Sequence, residues 1–74
     1  MSNTNKHNMF YFPDYLLARV AKKLDCSMAQ IRTMNKDLSA GRTVYFRNHK
    51  GAWNVRPESN HRLTVLLVGP GLNK

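Results

Sequence analysis

Acidic residues and cysteine are both scarce in this chain. Its 74 residues contain four Asp and Glu against 12 Lys and Arg, which gives a formal net charge of +8. The single cysteine, Cys26, cannot form an internal disulfide, and the three histidines are too scattered for the ligand spacing of a zinc site. The sequence therefore predicts no disulfide framework, no metal and no other cofactor. The excess of positive charge makes a polyanion, above all nucleic acid, the first partner to consider.

Long hydrophobic runs are absent as well. The longest apolar stretch, residues 63–68, is far shorter than the roughly 20 residues of a membrane-spanning helix. The first eight residues are polar and lack the apolar core of a secretory signal. We therefore expect a cytoplasmic protein with no membrane partner. The length suits one domain, and we expect a flexible arm over residues 1–8, the domain over 9–70 and a tail over 71–74.

The first half of the domain has the spacing of two amphipathic helices. Pro13 and Asp14 suit the first turn of a helix, where a fixed φ and a negative charge are both favourable. The aromatic stretch before them, residues 9–12, suits either a short strand or packing against the helices. The apolar residues that follow recur every three or four positions and mark one helix face: Leu16, Leu17, Val20, Ala21 and Leu24. A first helix is therefore predicted from Pro13 to about Leu24.

A second helix is predicted to begin at Ser27. A serine followed three residues later by Gln30 has the spacing of a capping box, in which each side chain bonds to the other residue's backbone N–H. The apolar stripe of this helix consists of Ile31, Met34 and Leu38. Gly41 suits the left-handed conformation that follows many helices, so the second helix is expected to end near Ala40.

The second half of the domain changes to the two-residue alternation of β-strands. Residues 43–47 and 52–56 alternate in this way and flank a polar segment over 48–51, which predicts a β-hairpin. A turn is predicted over residues 57–60, followed by a third strand over 62–68. The predicted fold class is therefore α+β, with two helices followed by a hairpin and a third strand.

The helix pair resembles the helix-turn-helix of bacterial and phage DNA-binding domains. Residues 20–35 carry the resemblance, with Ala21 where the helices would cross and Ile31 as the branched core residue ten positions later. It continues to residue 55 through a hairpin that looks like the wing of winged helix-turn-helix proteins, and it covers about half of the chain. Asp25 departs from the pattern, because the turn position usually holds glycine. Winged domains usually carry another helix ahead of the pair, whereas only 12 residues precede Pro13 here. The expected fold is therefore a reduced winged helix.

This resemblance implies that the second helix enters the major groove of double-stranded DNA with its N-terminal end first. The residues expected at the base edges are Ser27, Ala29, Gln30, Arg32 and Thr33. The residues expected at phosphates are Lys36, Arg42, Arg47, His49 and Lys50. The implied function is a small, nucleoid-associated transcriptional regulator that binds as a homodimer and is not an enzyme.

Two other interpretations fit the sequence. A second resemblance is carried by residues 51–53, Arg56 and residues 61–63. These positions have a spacing similar to the Gly-x-Trp, Arg and His-Arg-Leu spacing of RelE-type RNA-cleaving toxins. That resemblance implies a ribonuclease in which Arg62 stabilises the scissile phosphate, although the sequence supplies no pair of groups for general acid and base catalysis. The third interpretation is a small basic phage or plasmid protein that binds a host factor, since one fold can serve either role.

Overall fold

The computed structural model describes residues 9–72 of the chain. It contains two helices, α1 (Asp14–Leu24) and α2 (Met28–Ser39), followed by three strands, β1 (Val44–Asn48), β2 (Gly51–Ser59) and β3 (Arg62–Gly69). This confirms the predicted α+β class and the predicted order of two helices, a hairpin and a third strand. The predicted arm over residues 1–8 lies outside the described residues, as do residues 73–74 of the predicted tail.

Local sequence accounts for the ends of both helices. Pro13 is extended and stands immediately before α1 rather than inside it. Asp25 ends α1 in the left-handed conformation (φ 59°), and its N–H donates back to the last turn of the helix. Ser27 and Gln30 form the predicted capping box at the start of α2, and Gly41 (φ 88°) follows α2 in the left-handed region. The turn between the helices is thus fixed from both sides.

The three strands form one antiparallel sheet in the order β1-β2-β3. In the hairpin, Val44 pairs with Val55 and Phe46 with Trp53, so all four side chains lie on the face that packs against the helices. The Phe46 and Trp53 rings stack with their centroids 6.2 Å apart. Val55 also pairs with Val65 of β3. The core-facing positions therefore form rows that cross the sheet.

The turn predicted over residues 57–60 is wrong in its position. β2 continues through Ser59, and the chain turns at residues 60–61 instead. Pro57 pairs with Leu63, and the register shifts between Pro57 and Ser59. A proline is tolerated in a strand where the ladder is irregular, because its missing N–H is not required there.

The N-terminal aromatic segment packs against the helices instead of forming a strand. The backbone N–H groups of Met9 and Phe10 donate to the carbonyl oxygen of Ser39 at the end of α2 (2.6 and 3.0 Å). Phe12 is only 6% exposed and belongs to the core, and its ring stacks on Phe10. Of the two alternatives open for residues 9–12, packing is therefore the one observed.

The hydrophobic core lies between the helix pair and the sheet. Its fully buried members are Leu24, Ile31, Leu38 and Val55. Ala21 of α1 is buried as well, as expected of a small residue near the contact between two helices. No helix in residues 9–72 is long and apolar enough to cross a membrane.

Candidate nucleic-acid interface

One side of α2 is exposed along its length. Ala29, Arg32, Thr33 and Lys36 lie three or four residues apart, so they share this side of the helix, and all four are exposed. This set is named the outer face of α2. The inward stripe is as predicted: Ile31, Met34 and Leu38. Within residues 9–72, neither Arg32 nor Lys36 lies within 4 Å of a carboxylate oxygen, so both charges are available to a ligand.

Two of the predicted base contacts hold the helix terminus. The Ser27 hydroxyl oxygen accepts the backbone N–H of Gln30 (3.1 Å), and the Gln30 Oε1 accepts the backbone N–H of Ser27 (2.9 Å). The Thr33 hydroxyl donates to the carbonyl oxygen of Ala29 (3.1 Å). Arg32 is the charged member of the predicted base-contact set. Its guanidinium makes no hydrogen bond to any described residue.

Removing the Ser27 cap is expected to reduce the stability of the domain. Ser27→Ala deletes the hydroxyl that accepts the Gln30 N–H, and loss of such a cap costs about 0.5–2 kcal/mol. Ser27→Asp is the matched control, because aspartate caps helices about as well as serine. Urea unfolding followed by Trp53 fluorescence measures the free energy of unfolding of each protein. Equal stability of all three proteins would contradict the capping role.

The turn of the hairpin is held against the turn between the helices. Residues 48–51 are named the tip. The Asn48 Nδ2 donates to the carbonyl oxygen of Leu24 at the end of α1 (2.8 Å), while the Asn48 Oδ1 accepts the backbone N–H of Lys50 (2.8 Å). The His49 Nε2 and the Lys50 Nζ lie 3.9 and 4.0 Å from the Asp25 Oδ2. The tip therefore lies beside the turn that precedes α2.

The other two predicted phosphate contacts outside α2 lie elsewhere. Arg42 follows α2, and its Nη1 pairs with the Asp37 Oδ1 at 3.1 Å, with both side chains largely exposed. Arg47 is exposed in β1 next to the half-buried Phe46, so strand alternation places it on the sheet face opposite the helices. The structure therefore does not bring Arg47 together with the outer face of α2.

Asn48 is the residue of this region whose role sequence reasoning missed. An asparagine at the start of a turn is a local signal for the bond that its Oδ1 makes to the Lys50 N–H. Its other contact, to the carbonyl oxygen of Leu24, joins positions 24 residues apart. No local pattern in the sequence reports a contact of that kind.

The residues of the competing toxin resemblance have separate environments. Trp53 is buried in the core, the Arg56 Nη2 pairs with the Glu58 Oε2 at 3.0 Å, and Arg62 lines a groove beside α1. Hydrogen bonds from Arg56 and Thr64 lower the pKa of Glu58. Glu58 is therefore ionised at neutral pH and serves as the ion-pair partner of Arg56.

Cys26 has the environment of a packing residue. Burial, together with the neighbouring Asp25 carboxylate, raises the pKa of the Cys26 thiol, so the thiol is protonated at neutral pH and is a poor nucleophile. In the part of the chain that the structure describes, no three His, Cys, Asp or Glu side chains lie close enough together to hold a metal ion.

Comparison with known proteins supplies no relative from which a function can be transferred. No protein-family model, curated protein or solved structure matches the chain. The function is therefore argued from the geometry of this chain alone.

Proposed function

We propose that the protein binds double-stranded DNA as a small transcriptional regulator, reading the major groove with α2 and binding phosphates with the tip. The outer face of α2 carries this proposal. Arg32 and Lys36 lie one helical turn apart on that face, with no carboxylate of the described residues within 4 Å of either. A positively charged, uncompensated helix face suits the major groove, which admits an α-helix.

The N-terminal end of α2 supports the same orientation. Its first turn holds no acidic residue, and the Asp25 carboxylate ahead of the cap lies 4.0 Å from the Lys50 ammonium. The positive end of the helix dipole therefore favours an approaching phosphate. The tip brings Lys50 and His49 to this end of the helix through the Asn48 contact with α1. If the N-terminal end of α2 enters the groove of a duplex, the tip would therefore contact the adjacent phosphates.

On this geometry the predicted contacts divide into base contacts and phosphate contacts. Arg32 is assigned to a guanine edge, because its guanidinium can donate two hydrogen bonds there. Lys36 and Lys50 are assigned to phosphates. Arg42 is also assigned to a phosphate, which would replace its exposed ion pair with Asp37. Arg47 is the predicted phosphate contact that the geometry supports least, because it lies on the sheet face opposite the helices. Because one small module touches few bases, two copies on adjacent half-sites are expected on a specific operator.

Arg32 and Lys50 are expected to respond differently to alanine substitution. Arg32→Ala should weaken binding to a selected duplex by about 1–3 kcal/mol and should change binding to random duplex much less, because a base contact is lost. Lys50→Ala should weaken binding to both duplexes about equally, because a phosphate contact carries no sequence information. Selection from a randomised duplex pool, followed by fluorescence anisotropy on both kinds of duplex, measures the difference.

Arg56→Ala is the matched control for these two substitutions. Arg56 is also an exposed arginine, but it pairs with Glu58 in the sheet and lies outside the outer face of α2 and the tip. Its removal should leave both affinities nearly unchanged. If Arg32→Ala and Lys50→Ala behave alike on every duplex, α2 does not read sequence, and if no duplex binds at low salt the proposed function is wrong.

A further inference from the structure

A groove outside the proposed DNA interface runs between α1 and β3. Its volume is about 340 Å³, near the lower end of the range of about 300–1,000 Å³ for ligand pockets. Its floor is formed by aliphatic side chains from both elements: Leu16, Val20, Leu63 and Val65. No residue of α2 lines it. The groove is therefore a surface separate from the outer face of α2.

The rim of the groove is basic. It is lined by Arg19 and Lys23 of α1, by His61 of the turn between β2 and β3, and by Arg62, the first residue of β3. Within residues 9–72, no carboxylate lies within 4 Å of Arg19, Lys23 or Arg62, whereas Asp25, Asp37 and Glu58 have basic partners elsewhere. Arg19 and Lys23 are therefore without an ion-pair partner among the described residues, whereas the charge of Arg62 helps to lower the pKa of Glu58.

The strand that borders the groove is an edge strand. The sheet order is β1-β2-β3, so among the described residues only one side of β3 is paired, and the other side presents free backbone donors and acceptors. Beyond the groove, β3 also exposes large apolar side chains: Leu66 at 47%, Leu67 at 68% and Val68 at 50%. A fourth strand on this edge would direct alternate side chains into the space between β3 and α1.

We propose that the free edge of β3 receives an extended acidic segment of a partner protein as a fourth strand. Backbone hydrogen bonds to β3 supply the pairing, as in other cases of strand addition to a sheet edge. Alternate carboxylates of the segment point into the groove and pair with Arg19 and Lys23, while their methylene groups cover the aliphatic floor. The intervening apolar side chains lie on the other face of the sheet, beside the exposed Leu66 and Val68.

Two other occupants fit this surface less well. A second copy of the chain would bring its own β3, which contains no acidic residue, and would leave both basic rims without partners. Single-stranded nucleic acid would match the charge, but such ligands stack successive bases on several aromatic side chains. The groove is lined by no Phe, Tyr or Trp and by a single imidazole, that of His61.

A matched pair of lysines makes the proposal testable. Lys23 lines the groove and Lys22 does not, yet both are exposed neighbours in α1, so Lys23→Glu and Lys22→Glu change the net charge equally. The probe is a fluorescent eight-residue peptide of alternating Glu and Val, the length of β3. Lys23→Glu should weaken its binding about fivefold to tenfold, because an ion pair is replaced by repulsion. Lys22→Glu should weaken it less than about twofold.

Two further readouts identify the occupant. Bound peptide should slow amide hydrogen exchange within residues 63–67, because the free edge of β3 becomes paired, and a peptide of the same composition with its valines and glutamates in two blocks should not. The proposal is overturned if the peptide does not bind, or if both lysine variants weaken it equally. Lys23-dependent binding of a single-stranded oligonucleotide in place of the peptide overturns it, as does dimerisation of the protein alone with protection of β3. Duplex binding is tested separately with the Arg32 variant. Failure of the peptide to bind would therefore leave the proposed DNA-binding function standing.

Discussion

Ile31→Ala is expected to destabilise the domain by about 2–5 kcal/mol, the usual cost of removing a large aliphatic side chain from a core. Ile31 is 0% exposed and packs in the cluster that joins both helices to the sheet. A chain of 74 residues has a total stability of roughly 4–11 kcal/mol at the usual value per residue. The substitution therefore removes a large share of it. Urea unfolding followed by the fluorescence of Trp53, the one tryptophan of the chain, measures the loss.

Two milder substitutions on the same helix bracket this prediction. Ile31→Val removes one methylene and should cost about 0.5–1.5 kcal/mol. Thr33→Ala changes an exposed position two residues later and should stay within about 0.5 kcal/mol of the unsubstituted protein. If Ile31→Ala costs no more than Thr33→Ala, α2 does not pack on the sheet as described.

The helices could be predicted from the sequence because their burial is one-sided. The residues predicted to face inward in α2 are those found buried, since a 3.6-residue period reports which face a helix buries. Asp25 was predicted in the turn between the helices, and it adopts the positive φ that such a turn requires. The capping box at Ser27 could also be predicted, because it depends on residues only three positions apart.

The strand ends and the sheet surroundings were less predictable because they depend on distant residues. Pro57 and its neighbours have the composition of a turn, yet pairing with Leu63 across the sheet keeps them in β2. The basic groove joins residues of α1 to residues about 40 positions later. No local pattern in the sequence indicates either arrangement, so neither could be predicted without the structure.

The candidate site likewise combines features that the sequence predicts with features that only the structure shows. The outer face of α2 follows from the sequence, because it is the complement of the buried stripe. The double role of Ser27 and Gln30 does not, since one side chain can serve as a cap or as a base contact and only the hydrogen bonds separate the two. The placement of Arg47 away from α2 likewise depends on sheet geometry rather than on its distance along the chain from Lys50.

Duplex binding is expected to fall steeply as salt rises. With about three to four cationic side chains per chain at phosphates, among them Lys36, Lys50 and Arg42, the slope of log K against log salt should be about −3 to −4. A fourfold rise in salt, from about 50 to about 200 mM, should then reduce the affinity about 60- to 250-fold. Anisotropy titrations of a random duplex over this range measure the slope.

The same titration separates specific phosphate contacts from the general attraction of a basic protein. Lys36→Ala and Lys50→Ala together should make the slope shallower by about 2, since each phosphate contact contributes about 0.9 to it. Lys22→Ala, which removes a positive charge from α1 outside the outer face of α2 and the tip, should leave the slope unchanged. A flat salt response would show that phosphates are not bound, and an equal loss of slope from the Lys22 variant would show that net charge alone attracts the duplex. Only a selective loss at Lys36 and Lys50 is consistent with a duplex seated on the outer face of α2 and the tip.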